Sequence, residues 1–281
     1  MRVITEPAVY LLGRQDVSYD ELDRFLADHG VEWSTDTTRA GEELAEVAGR
    51  TCYLSFARPR PGGNAAYLDH IKESGHGSVL EHAVFSFLFT GVSRSLTHEL
   101  VRHRAGMAYS QLSQRYVDES VAEYVCPDVI AGDSEMRYVW EKAVADAHDA
   151  YVRLVDLLTA KLVPEAFENE NEEWPAGISL TEMNRRLSAE ARTAVRKAAR
   201  QAARSVLPNA TETKIFVTAN ARALWHFLEQ RGAVGAEPEI RKLAGKVLDV
   251  LQAESPNLFN DYRKVPLPDG TAEIRTPYRK V

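Results

Sequence analysis

HGSVLEHAVFSFLFTGVSRSLTHELVRHR, residues 76–104, is the stretch on which the fold class turns. Its centre, AVFSFLFTGV, is dense in aromatic and β-branched residues that partly alternate, which predicts a strand closed by Gly91. Ser93 then offers a side-chain acceptor for a helix start, and Leu96, Leu100 and Val101 give an apolar face to a helix running to about Arg104. A second strand–helix unit lies at 213–231. There TKIFVTA reads as a strand and Asn220 as the cap of ARALWHFLEQR. Helical periodicity marks 134–163 and roughly 181–207, the latter ending before Pro208. Pro238 opens a last amphipathic helix. Two strand–helix units joined by long helices predict an α+β fold, a single catalytic domain over 1–281 with a mixed or antiparallel sheet flanked by long helices. Between the long helices, 164–184 is acidic, holds two prolines and reads as an exposed loop insertion.

The remaining segments are read on the same rules. AVYLL near the start is a short apolar stretch, and Ser18 with Glu21 fits a reciprocal helix cap. Residues 41–50 and 65–75 suit helices, AGMAYSQLSQRYV reads as irregular, and the tail after Asp261 is polar and suited to folding over a neighbour.

A net charge of −7 argues against a nucleic-acid partner, since no global field draws in a polyanion. Two cysteines, Cys52 and Cys126, are too few for a disulfide framework and read as buried thiols. The first residues hold no apolar run long enough for a leader or a membrane span, so a cytoplasmic protein without a membrane partner is expected. His76, Glu81 and His82 lack metal-ligand spacing, so no metal is expected and His82 reads as a core histidine.

Chemistry concentrates in RHRAGMAYSQLSQRY, 102–116, with Arg94 upstream. Clustered guanidiniums repel one another unless an anion lies between them, and their planar fork suits phosphate. Arg192, Arg196, Arg200 and Arg204 form a drifting stripe on one helix, read either as a solvated face or, at Arg204, as an anion contact. Arg222 and Arg231 bracket the last strand–helix unit, with His226 between them. Neither a dinucleotide-binding glycine motif nor a phosphate loop is present, so a bound nucleotide requires another kind of site.

Taken together, RHR with SQLSQRY, the upstream HGSVLEH, and the downstream ARSVLPNATET and NARALWHFLEQR resemble flavin-dependent thymidylate synthase, from about Ala45 to Leu251. The resemblance implies C5 methylation of dUMP to dTMP. FAD is the implied cofactor, NADPH the reductant and methylenetetrahydrofolate the carbon donor, in a homotetramer whose active sites are shared between subunits. It places His76, Ser78, Glu81, Arg102, His103, Arg104, Gln111, Asn220, Arg222 and His226 at the flavin. Glu99, Arg102, Gln111, Ser113, Gln114, Arg115, Arg204 and Arg231 fall at the nucleotide, with Arg231 in the catalytic role beside the uracil ring. Eight residues separate Arg104 from Ser113, where the common family pattern has seven. A related branch methylates UMP, so the spacing leaves dUMP as the expected substrate and UMP, or both, as the alternative.

Overall fold

The computed structural model describes residues 2–58, 60–170 and 177–279. Among them the strands are β1 (Arg2–Ile4), β2 (Ala8–Arg14), β3 (Val84–Ser93), β4 (Met107–Gln111), β5 (Glu123–Val125), β6 (Glu212–Asn220), β7 (Arg263–Pro266) and β8 (Ala272–Arg275). The chain is α+β, with a four-stranded sheet in the order β2-β3-β6-β4 and two small ribbons. β2 and β3 run antiparallel, β1 and β5 parallel. The residues group into two compact units. One comprises Met1–Thr5, Ser93–Ser95 and Gln111–Thr213; the other comprises Glu6–Val92, Leu96–Ser110 and Lys214–Val281. No helix among the described residues is long and apolar enough to cross a membrane.

The second unit holds most of the sheet. In β3, Phe85, Phe87 and Phe89 are buried, while Val84, Ser86 and Leu88 between them are half-exposed: the two-residue period of a strand with one covered face. β3 does not stop at Gly91. A positive φ of 66° there, open to glycine without steric cost, lets the strand reach Ser93. The closing helix Pro238–Glu254 starts with proline in its first turn and buries Ile240, Leu243, Ala244, Val247, Leu248 and Leu251. Each large aliphatic side chain so covered contributes on the order of 1.5–3 kcal/mol. The polar tail forms the β7–β8 hairpin. Lys72, fully buried on the helix Gly63–Ser74, is ion-paired to Asp261 at 3.1 Å.

In the first unit the helix Ser134–Glu170 continues through Pro164. Residues 164–170 are therefore helical, not loop; 171–176 lie outside the described residues; and 180–186 form a short helix, Leu180–Arg186. The reason is packing. Val163 and Phe167 are buried in a cluster with Met183, Leu187 and Val195, which holds the extra turns despite the missing proline N–H. The expected single helix over 181–207 is interrupted at Ser188. Its hydroxyl accepts from the Ala191 N–H and starts a second helix, Ala189–Ala203, while Glu170 takes the Ser188 N–H at 2.9 Å. Three further expectations fail locally. Ser18 makes no side-chain cap, and the Glu21 carboxylate that would reach back to it pairs with Arg24 instead. Cys52 is exposed, leaving only Cys126 buried, and His82 is exposed too.

Candidate functional site

The helix after β3 is shorter than its apolar spacing suggests, Arg94–Leu100. The chain leaves it through a turn that the Tyr109 hydroxyl holds, 2.9 Å from the Leu100 carbonyl oxygen and 2.7 Å from that of His103. Burial pushes the Tyr109 pKa up to about 12, so the phenol keeps its proton and remains a donor. Gly106, at φ 70°, reverses the chain into β4, a strand the sequence reads as irregular. The Gly106 carbonyl accepts from the Asn220 N–H at 3.0 Å, and the Asn220 side chain caps the helix Ala221–Arg231 by accepting from the Ala223 N–H at 2.9 Å. A Cβ on Gly106 would lie 2.6 Å from the Asn220 amide nitrogen, so the RHR turn and the capped helix meet backbone to side chain.

Between these two segments and the turn Gly77–His82 opens a cavity of about 770 Å³. Glu81, Arg102, His103, Arg104, Asn220, Arg222 and His226, all expected at a cofactor, line it. Lys72, Gly106, Trp225 and Glu229 line it as well, and nothing in the sequence singles them out. Arg102 and Arg104 are exposed and form no ion pair among the described residues. Arg222 reaches across to Glu81, Nη1 to Oε1 at 2.5 Å, and a Cβ on Gly77 would lie 3.3 Å from its Nε. His76 and Ser78 are exposed and flank this wall; the His76 ring stacks on Tyr53 with centroids 5.7 Å apart.

His103 is the buried member of RHR. Its Nε2 accepts from Arg231 Nε at 3.0 Å, while Arg231 is bound to the Glu99 carboxylate and donates to the Glu99 carbonyl at 3.3 Å. Burial, then the charges of Arg231 and His226, lowers the His103 pKa to about 4, so the ring is neutral at physiological pH. Accepting at Nε2 places its one proton on Nδ1. Burial, followed by the charges of Glu239 and Glu99, also holds the Glu237 carboxyl above the usual range, which puts Glu237 in the neighbourhood of the Glu99–Arg231 pair.

Gln111, Ser113, Gln114, Arg115 and Arg204 belong to the first unit. Gln114 is buried with no partner for its amide nitrogen, and Arg115 Nε is likewise buried and unpartnered. Burial lowers the Arg94 pKa, and the charge of Arg204 adds to this against the pull of Glu119. Arg94 and Arg204 are therefore close enough to repel, the situation that an anion relieves. Of the arginine stripe, Arg200 is spent on structure, donating to the Tyr116 carbonyl at 2.7 Å and to Asp118 at 2.8 Å.

Comparison with known proteins bears on this arrangement. The family model of thymidylate synthase complementing protein matches residues 35–257. The chain is 46% identical over 255 residues to a flavin-dependent thymidylate synthase of Mycobacterium sp. (strain JLS), covering 90% of this chain and 92% of that protein. It is 44% identical over the same length to one of Mycobacterium tuberculosis (strain ATCC 25177 / H37Ra). Among solved structures it resembles a UMP/dUMP methylase, PolB, from Streptomyces cacaoi bound with 5-Br dUMP. The TM-score is 0.60 at 19% identity, over 92% of this chain and 96% of that one, a likeness of fold. The matched span takes in the RHR turn, the capped helix and Arg231, and the chain belongs to the thymidylate synthase complementing protein family.

Proposed function

We propose that this chain is a flavin-dependent thymidylate synthase that methylates C5 of dUMP, with methylenetetrahydrofolate as carbon donor and NADPH as reductant. What carries the reading is the cavity of the second unit, where Arg102, Arg104 and Arg222 surround a buried, neutral His103 in a family member. FAD fits this lining. Its phosphates suit the Arg102 and Arg104 guanidiniums, which form no ion pair among the described residues, and the positive end of the helix Ala221–Arg231 adds to the attraction. With no side chain, Gly77 and Gly106 let the Arg222 and Asn220 side chains pack close against the wall, and the buried Nδ1–H of His103 has no acceptor in the protein. Bound FAD supplies the reducing chemistry, while the protein fixes positions and excludes water. In this reading Glu99 and His103 hold Arg231 at the uracil ring, where its charge stabilises the anion that makes C5 nucleophilic. Ser113, Gln114, Arg115 and Arg204 take the rest of the nucleotide, with Arg115 and Arg204 on phosphate. The active form is a cytoplasmic homotetramer with sites shared between subunits.

The test is direct. Purified chain reconstituted with FAD is expected to be yellow, to bleach with NADPH, and to convert dUMP to dTMP when methylenetetrahydrofolate is present. Offered dUMP and UMP in competition, it is expected to prefer dUMP; preference for UMP, which the longer Arg104–Ser113 spacing allows, would reassign the substrate while keeping the chemistry. Arg231→Ala is expected to retain flavin and lose methylation by a factor on the order of 100 or more. Unchanged turnover would remove Arg231 from the mechanism.

A further inference from the structure

The proposed flavin site and the proposed catalytic arginine are joined by one imidazole. Glu99 grips Arg231 through both its carboxylate and its carbonyl, and Arg231 spends its Nε on His103 Nε2. That bond settles the tautomer: an imidazole accepting at Nε2 carries its proton on Nδ1. Nδ1 is closed off from solvent and has no partner in the protein, although the ring it belongs to lines the cavity. The residue is 7% exposed. Two rings meet the imidazole in edge contact, Phe227 with centroids 5.6 Å away and His226 at 5.3 Å. Phe227 is buried, whereas His226 is exposed. A desolvated N–H without an acceptor is a destabilised group, so whatever satisfies it gains affinity.

We infer that His103 is a positioning residue that couples the two sites: its Nδ1–H donates to an acceptor on the bound flavin once the His226 ring turns aside, and its Nε2 thereby holds Arg231 in register for the pyrimidine. The inference rests on the flavin reading above and adds to it a mechanical link within the second unit. Because coupling between binding equilibria is reciprocal, a nucleotide engaging Arg231 tightens flavin binding through the same ring, and flavin tightens nucleotide binding by the same factor.

Two amides separate the halves of the link. The Asn side chain can place its NH₂ near the position of Nδ1 but offers nothing at Nε2; Gln reaches the position of Nε2 with an oxygen acceptor but loses the Nδ1 donor. FAD affinity is measured by fluorescence titration for the wild type, His103→Gln and His103→Asn, without and with saturating dUMP. His103→Gln is expected to bind FAD about tenfold more weakly and, with its end of the link to flavin gone, to lose the tightening by dUMP. His103→Asn is expected to lose the tightening while FAD alone binds more strongly than to His103→Gln. Tightening that survives in either variant, or wild-type FAD affinity in His103→Gln, overturns the coupling. A measurement on the unaltered chain guards against misfolded variants. Nitrogen-15 NMR of labelled histidine near neutral pH is expected to show His103 protonated at Nδ1 alone, and protonation at Nε2 breaks the link to Arg231. This measurement needs no ligand, so it judges the link separately from flavin binding; a wild-type chain that binds no FAD sinks the functional reading.

Discussion

At the residue scale the pKa of His103 has a consequence for the whole chain's stability. Its folded value is about 4, below the ordinary histidine value near 6.5. Between those values the unfolded chain binds a proton that the folded chain refuses, so stability rises with pH across this window and is lost as pH falls from about 6.5 towards 4. The lost stability is on the order of 3 kcal/mol at full effect. His103→Gln cannot titrate. Its unfolding free energy, followed by denaturant titration at several pH values, is expected to fall less steeply than the wild type's in that window. Glu42, Glu43 and Glu237 carry raised pKa values in the same region and slope the opposite way, but they are common to both proteins and cancel in the difference. Parallel curves for the two proteins would mean that His103 is protonated in the folded state, and the neutral-donor picture would fail. The residue types at this site were legible in the sequence, because arginines crowded around one histidine need an anion wherever they fold. The neutral state of that histidine was not legible: it depends on burial and on Arg231, which is remote in sequence.

At the scale of elements, the junction between the RHR turn and the helix Ala221–Arg231 separates structural from binding roles. Asn220→Ala removes the cap and is expected to cost about 1 kcal/mol of stability together with flavin affinity. Asn220→Asp keeps the cap, since a carboxylate also accepts from the Ala223 N–H and suits a helix start, but it places negative charge at the wall where phosphate is proposed. Its stability is therefore expected to match the wild type while FAD binding weakens severalfold, by melting temperature and titration respectively. Gly106→Ala is expected to lose both, by about 1–3 kcal/mol in stability, because its Cβ drives into the Asn220 amide and its φ of 70° is strained for alanine. Asn220→Asp binding FAD as tightly as the wild type would move the phosphates away from this helix start. The Asn220 cap and the strands around it announce themselves locally, through a capping side chain and a two-residue period. β4 does not: five residues, Met107–Gln111, become a strand by pairing with β6, more than a hundred positions later. The helix over 164–170 was hidden for a related reason, since Pro164 forbids it locally and the packing of Val163 and Phe167 with Met183 and Leu187 restores it.

At the scale of the whole molecule, the proposed nucleotide ligands divide between the two units. Arg231 and Glu99 are in one; Gln111, Ser113, Gln114, Arg115 and Arg204 are in the other. In the proposed tetramer with shared sites, the two groups of a given site would come from different subunits, and this is measurable without a structure of the assembly. Arg204→Ala and Arg231→Ala are each expected to impair turnover when assayed alone. When the two inactive proteins are denatured together in equal amounts and refolded, subunits assort at random. A site that draws Arg204 from one chain and Arg231 from another then recovers both in about a quarter of cases, because each contributor has an even chance of being the intact one. Turnover per site is expected to approach about a quarter of the wild-type value, with light scattering reporting four chains per particle. A site built within one chain recovers nothing at any mixing ratio, since every chain carries one lesion. The dependence on ratio makes the distinction sharp: shared sites give recovery that peaks at equal proportions and vanishes at either end, a curve that residual activity in one variant cannot imitate.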